Sequence, residues 1–429
     1  MSSILDYQSP PPPKSLVSRI TGLFQRRATW VLFDQGFVSL GNFLTVNFLA
    51  RWLITEQFGL FSVLLETMLY LNSLQAALVI YPLNVRGAKG DRAMLGRIAT
   101  ASIFMTLLLL PILGAAMGGV VLAGGTGISV VTAVAALTLW QIQETTRRAL
   151  MADLRFGEAI LGDAISYLGQ AGLILLMHHY GKLTLNTAYL SMALSSSAAI
   201  CVQALQVGLK PVNREHFKEL IAEFWVLGRW MLLNNASGLI SGLAYWYVLK
   251  WTHGDADCAA FGVIVAMMKL ANPVMVSIGN LIVPAVSRLH EHEGIRAARR
   301  IALRYTAFGA VLLGPFFLVV FIAPELMLKL FYGWGTPYVE HATALRLFVL
   351  NYTMAYVGAA LGAWLAGLGH SRLSFYTQAV NVITTLAVGL PMTWAWGVMG
   401  LVVGGMLAVS SAALACVYYV WMLMRKQMA

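Results

Sequence analysis

Residues Trp30 to Arg86 read WVLFDQGFVSLGNFLTVNFLARWLITEQFGLFSVLLETMLYLNSLQAALVIYPLNVR. Two apolar runs are joined here by a short turn between Ile54 and Phe58. A bilayer-crossing α-helix needs roughly 20 apolar residues, so the stretch reads as a transmembrane helical hairpin. Much of its punctuation recurs in the second half of the chain. Trp30 is matched by Trp230, Asp34 by Asn234, Arg51-Trp52 by Lys250-Trp251, Phe58-Gly59 by Phe261-Gly262, Glu66 by Lys269, Pro82 by Pro284 and Arg86 by Arg288. The offsets lie between 199 and 203 in a chain of 429 residues, so one hairpin is used twice and divides the chain nearly in half.

The rest of the chain is of the same kind. With 59% hydrophobic and 11% charged residues and a mean hydropathy of +0.73, it has too little polar surface to cover a water-soluble globule, and the fold class is an all-α polytopic membrane protein. Twelve candidate spans follow, at about 29–53, 59–82, 98–123, 128–146, 159–178, 186–208, 230–250, 259–285, 305–323, 345–367, 374–394 and 398–423. With a cytoplasmic N-terminus, all but six of the 29 lysines and arginines fall in cytoplasmic segments. Arg51, Lys182, Lys250 and Lys329 fall near outer loops, and Lys269 and Arg346 fall within spans. That asymmetry is the positive-inside pattern of a multi-pass protein with both termini cytoplasmic. It also accounts for the net charge of +11 without nucleic acid as a partner.

The domain reading is a tail and surface helix at 1–28, a six-helix bundle at 29–209, an amphipathic cytoplasmic linker at 210–229 and a second six-helix bundle at 230–429. The linker sets Phe217, Leu220, Ile221 and Phe224 against Arg214, Lys218 and Glu219, as a helix on the membrane surface does. Because each half has an even number of spans, the two are parallel repeats related by a pseudo-two-fold axis along the membrane normal. Substrate is then expected between them. The start MSSILDYQSPPPPKS lacks the basic and apolar regions of a cleavable signal. Cys201, Cys258 and Cys416 are too far apart to suggest a disulfide framework or metal site. Every outer loop is short; the longest, 324–344, carries Tyr332, Trp334 and Tyr338 and reads as an interfacial aromatic belt.

Ionisable groups at membrane depth are costly and tend to face a cavity or a partner. Glu66 and Lys269 each follow a Phe-Gly by the same interval, which places both about 12 Å in from the outer side. Two readings stand: an outer gate closed by their ion pair, or a permanent buried pair. Asp34, with its repeat equivalent Asn234 and the adjacent Asn235, lies among small residues that suit either a cavity face or close helix packing. Asp34 is also a candidate site for proton or sodium coupling, the only cofactor role considered. Arg51, Lys250 and Arg346 lie toward outer span ends, where arginine suits a diphosphate. Arg147, Arg148 and Arg155 are explained by topology, with Glu144 near a span end. No phosphate-cradling GxxxxGK[ST] loop and no HExxH occurs, which argues against an enzyme.

The first span, FDQGFVSLGNFLTVNFLARWLITEQFGLFSVL, resembles the polysaccharide transporter or O-antigen flippase family of the multidrug/oligosaccharidyl-lipid/polysaccharide exporter superfamily, with its Asp-Gln-Gly, Leu-Ala-Arg and Phe-Gly punctuation. Arg147-Arg148 through Asp163, Gly228-Arg229-Trp230 and Pro284 to Arg288 add to the likeness. The resemblance implies a flippase of a bacterial inner membrane. It would carry a polyprenyl-diphosphate-linked oligosaccharide between leaflets by alternating access, for surface or secreted polysaccharide. Membrane lipids and a polysaccharide polymerase or export machinery are the other implied partners. Arg51 and Lys269 are the implied diphosphate ligands. The rival within the same fold is an ion-coupled drug or cation antiporter, which would gather carboxylates such as Asp34 and Asp163 in one half. A membrane glycosyltransferase or polymerase would require a sizeable outer domain.

Overall fold

The computed structural model describes residues 16–87, 92–125, 127–369 and 371–428, with the side chains of 16–32 and of some later helical positions, Trp230 and Asn234 among them, outside the description. Among the described residues the chain is helical throughout, with no strand. The long helices are α1 (Leu16–Trp52), α2 (Thr55–Gly87), α3 (Arg92–Ala123), α4 (Val130–Ala152), α5 (Phe156–His179) and α6 (Leu185–Val207). They continue with α7 (Arg214–His253), α8 (Asp255–Glu293), α9 (Ile295–Ile322), a short α10 (Pro324–Tyr332) and α11 (Pro337–Gly367). The last helical stretch bends at Trp396 and Gly397 into two arms, α12 (371–395) and α13 (398–428). Gly397 has φ +56, a backbone conformation that side-chain-bearing residues avoid.

Apart from α10, twelve rods are thus described, at the places the hydropathy pattern predicts. Eight helical stretches are long and apolar enough to cross a membrane by composition alone, the stretch Phe375–Arg425 holding both of the last two rods. The helix α4 falls short because Gln141, Gln143, Glu144, Arg147 and Arg148 interrupt its apolar run. Successive rods alternate in direction. One side of the molecule carries both described chain ends and the α2–α3, α4–α5 and α6–α7 connections, and is called here the terminal side. The other carries the tight turns at Ile54 and Gly254 and the helix α10, and is the hairpin side.

Within the first half α4 packs most extensively against α6, and within the second α8 against α9 and α11 against the last arms. The two halves meet where α2 lies against α7 and, along the repeated Phe-Gly pairs, against α8. The repeated Phe-Gly pair makes that approach close. A side chain on Gly59 would run into the Asp255 backbone, and one on Gly262 into Ser62. Phe58 and Phe261 are buried beside them.

Two expectations need correction. The 210–229 segment is not a separate surface linker, because Arg214–His253 is one helix of 40 residues started by Asn213, whose Oδ1 accepts from the His216 amide at 2.9 Å. Its apolar face, Leu220 and Phe224, is buried in the core of the first half rather than in lipid headgroups. Gly228 allows that approach, since a Cβ there would meet the backbone at Ala77 and Leu78. The 324–344 loop is also more than a belt. Trp334 is exposed, but Tyr332 and Tyr338 are buried, and the Tyr332 hydroxyl donates to the Val263 carbonyl at 3.2 Å.

Candidate functional site

Between the halves lies a cavity of about 300 Å³. α1 contributes Ser39, Asn42 and Phe43; α2 contributes Phe61 and Glu66; α4 to α6 contribute Trp140, Tyr167 and Tyr189; α7 and α8 contribute Trp246 and Lys269. Its walls mix aromatic, aliphatic and neutral polar side chains, with one acidic and one basic group. Those two are paired: Lys269 Nζ donates to Glu66 Oε1 at 2.5 Å. Lys269 begins a single 3₁₀ turn, Lys269–Ala271, that interrupts α8. The corresponding helix α2 is interrupted by a π turn, Ala76–Ile80. The paired charges cancel, so the cavity presents no net charge to a ligand.

Behind Tyr167, toward the terminal side, sits a second constellation wholly within the first half. Asp163 ends the first segment of α5 and is followed by a π turn, Ala164–Leu168, of the kind that often marks functional positions. Gly41 lets α1 reach that turn, because a Cβ there would lie 2.6 Å from Tyr167 Cβ. Gly162 likewise packs on Gln203 of α6. These close approaches gather three carboxylates around one guanidinium. Arg147 Nη2 donates to Asp34 Oδ2 at 2.7 Å, Nε to Asp163 Oδ2 at 2.6 Å, and Nη1 to Glu144 Oε2 at 3.2 Å. Arg148 Nε donates to Glu144 Oε1 at 2.6 Å, and Gln143 and Gln203 each donate to Asp163 Oδ1 at 3.3 Å.

Asp34 and Asp163 are fully buried, and Arg147 is 3% exposed. Arg147 thus bridges the two aspartates, Asp34 Oδ2 also accepts from Gln35 at 3.2 Å, and the buried Asp34 Oδ1 has no donor. Three carboxylates against Arg147 and Arg148 leave one uncompensated negative charge, with Asp34 and Asp163 fully buried and Arg148 reaching the exposed edge of the cluster.

The remaining candidates lie elsewhere. On the hairpin side, Arg51 Nε donates to the Phe331 carbonyl at 2.6 Å and Nη2 to that of Leu330 at 2.9 Å. Asn47 Nδ2 joins it on Phe331 at 2.5 Å. Arg346 donates to the Phe321 carbonyl at 2.9 Å. Neither arginine lines a cavity described here. Asn235 donates to the Ser73 carbonyl at 2.7 Å and borders a separate, uncharged cavity of about 710 Å³ lined by Tyr70, Gln378, Asn381 and small residues of α11 and α13. The Asn234 side chain lies outside the described residues. Lys250 is paired with Asp255.

Arg147, which topology alone would set at the membrane surface, is instead a buried hub, and Glu144 near the span end is one of its partners. The signal was present as QIQETTRR at 141–148, a polar run too dense for a lipid-facing span, with acid and base spaced to meet on one helix face.

The fold is thus that of an all-helical, multi-pass membrane protein with two lobes about a central cavity. No protein-family model and no curated protein matches the chain. Among solved structures, it is similar to an inward-facing conformation of a multidrug resistance MATE family transporter of the MOP superfamily. The TM-score is 0.74 at 14% identity, over 90% of this chain and 95% of that one. An outward-facing conformation of a MATE family transporter matches with a TM-score of 0.67 at 13% identity, over 94% and 95%. A MOP superfamily transporter from Pyrococcus furiosus matches at 0.63 and 13%, over 94% and 96%. The fold is that of these transporters.

Proposed function

We propose that this chain is an ion-coupled antiporter of the MOP fold that exports an amphipathic solute, with Asp34 and Asp163 as its coupling carboxylates. The single observation that carries it is the gathering of those two fully buried residues in one half, both bound to the same guanidinium, Arg147. An intramembrane carboxylate that gains and loses a proton is the ordinary way for such a fold to tie a gradient to a conformational change. The charge-neutral central cavity, with Phe43, Trp140, Tyr167 and Trp246 among apolar and neutral polar neighbours, suits an amphipathic or delocalised cationic solute. The positive-inside bias sets the terminal side in the cytoplasm, so Glu66, Lys269 and the α10 contacts keep the outer side shut.

The flippase reading has one observation in its favour, the larger uncharged cavity bordered by Asn235, Gln378 and Asn381, whose amides suit a neutral polyhydroxylated headgroup. Against it, Lys269 is engaged by Glu66 and Arg51 by backbone carbonyls, so neither is disposed toward a diphosphate.

Both readings are tested in proteoliposomes bearing a pH gradient and an internal pH dye. Tetraphenylphosphonium and a labelled polyprenyl-diphosphate oligosaccharide serve as alternative cargoes. Antiport predicts that tetraphenylphosphonium dissipates the gradient and that Asp34→Asn or Asp163→Asn abolishes this. Transfer of the lipid-linked sugar alone, unaffected by either change, would overturn it in favour of the flippase.

A further inference from the structure

We infer that Arg147 holds the place of a metal cation in the buried cluster, so that the site accepts a proton and excludes sodium. The inference rests on the cluster being the coupling site. A guanidinium cannot be deprotonated in a protein, so its charge is permanent. It engages one oxygen each of Asp34 and Asp163 and both oxygens of Glu144. A hard cation needs several oxygens to converge on one point. Here the oxygens that could do so already point at nitrogen, and a second cation would be seated beside a fixed positive charge.

What remains is suited to a proton. The charged and titratable groups around the site are Asp34 from α1, Glu144, Arg147 and Arg148 from α4, and Asp163 and Tyr167 from α5; α6 contributes the neutral Gln203. Ionised, these leave one excess negative charge, and Asp34 Oδ1 is a buried acceptor without a donor, on a residue that shares Arg147 with Asp163. A single proton on one of the two aspartates removes that charge. Binding and release consist only of an O–H bond made or broken at one carboxyl, while Arg147 stays in place.

The test is equilibrium sodium binding to the purified full chain, by radioactive sodium capture and by thermal unfolding in sodium chloride against choline chloride. The native protein should bind no sodium and unfold at the same midpoint in both salts. Arg147→Gln should bind about one sodium per chain and gain a few degrees in sodium only, since binding to the folded state alone raises the midpoint. The gain should vanish when Asp34→Asn is added. The pair Glu144→Gln with Arg147→Gln keeps the charge count and gives the same reading if the single variant does not fold. Saturable sodium binding by the native protein would overturn the inference, as would folded variants lacking Arg147 that still bind none. Because binding is read without transport, a protein that binds no sodium yet fails to couple a pH gradient would instead sink the antiport reading alone.

Discussion

Lys269 and Glu66, one from each half, meet at 2.5 Å across the central cavity at positions related by the internal repeat. Glu66 is largely buried while Lys269 is 37% exposed, so the pair is partly screened. Its rupture is within reach of a conformational change, unlike that of a dry pair. Neutralising either partner, by Glu66→Gln or Lys269→Met, is expected to shift the population toward an open hairpin side by roughly fivefold, about 1 kcal/mol. Lys269→Met should have the larger effect, because it strands the more buried charge. Labelling of single cysteines near the hairpin-side end of the cavity measures the shift. The exchange Glu66→Lys with Lys269→Glu should restore the native rate; if it labels like the singles, the pair is not what holds that side.

A second closure lies nearer the surface. The last carbonyls of any helix lack intrahelical partners, and those of Leu330 and Phe331 in α10 are capped by Asn47 and Arg51 of the opposite half. Arg51 also brings positive charge to the negative end of the α10 dipole. Opening this side must break the cap or carry α10 with α1. Arg51→Ala is expected to favour opening by about 1–2 kcal/mol. Asn47→Ala should add less than its own single effect, since both donors share the Phe331 carbonyl. Cross-linking cysteines placed at Asn47 and Phe331 should arrest transport, and reduction should release it. Undiminished transport in the linked form would show that this seam never parts.

The fold was legible because hydropathy and the positive-inside bias are long-range averages that single misreadings barely disturb. The juxtaposition of Glu66 and Lys269 was legible for a different reason: a repeat converts one sequence offset into spatial equivalence. The buried cluster has no repeat partner to reveal it. Asp34 and Asp163 stood out as isolated charges in apolar runs, but Glu144 and Arg147 sit where a span end and a topology charge were already expected. The carbonyl acceptors of Arg51 and Arg346 leave no trace in sequence.

Gly41 and Gly36 offer a contrast within one helix. A Cβ on Gly41 would collide with the backbone and Cβ of Tyr167, whereas one on Gly36 meets nothing within 4 Å. Gly41→Ala is expected to cost about 1–3 kcal/mol by forcing α1 off the π turn, and to weaken coupling because Asp34 is drawn away from Arg147. Gly36→Ala should be neutral or stabilising by up to about 1 kcal/mol, since alanine is the better helix former. Unfolding midpoints of the two variants decide it; equal loss in both would mean that α1 is not held by this contact.

The cluster should also rank its own substitutions by the charge each leaves uncompensated. Arg147→Ala strands Asp34 and Asp163 and leaves Glu144 to Arg148 alone, and removal of one partner from a buried ion network costs about 3–5 kcal/mol. Asp163→Asn removes an acceptor but leaves Arg147 held by Asp34 and Glu144, and should cost about 1–3 kcal/mol. Glu144→Gln with Arg147→Gln removes one charge of each sign and should fall well below the sum of its parts, because the groups are in direct contact. Unfolding in a fixed detergent gives the order directly. An Arg147→Ala protein as stable as Asp163→Asn would mean that water reaches these carboxylates, and with it their isolation as a coupling site would fail.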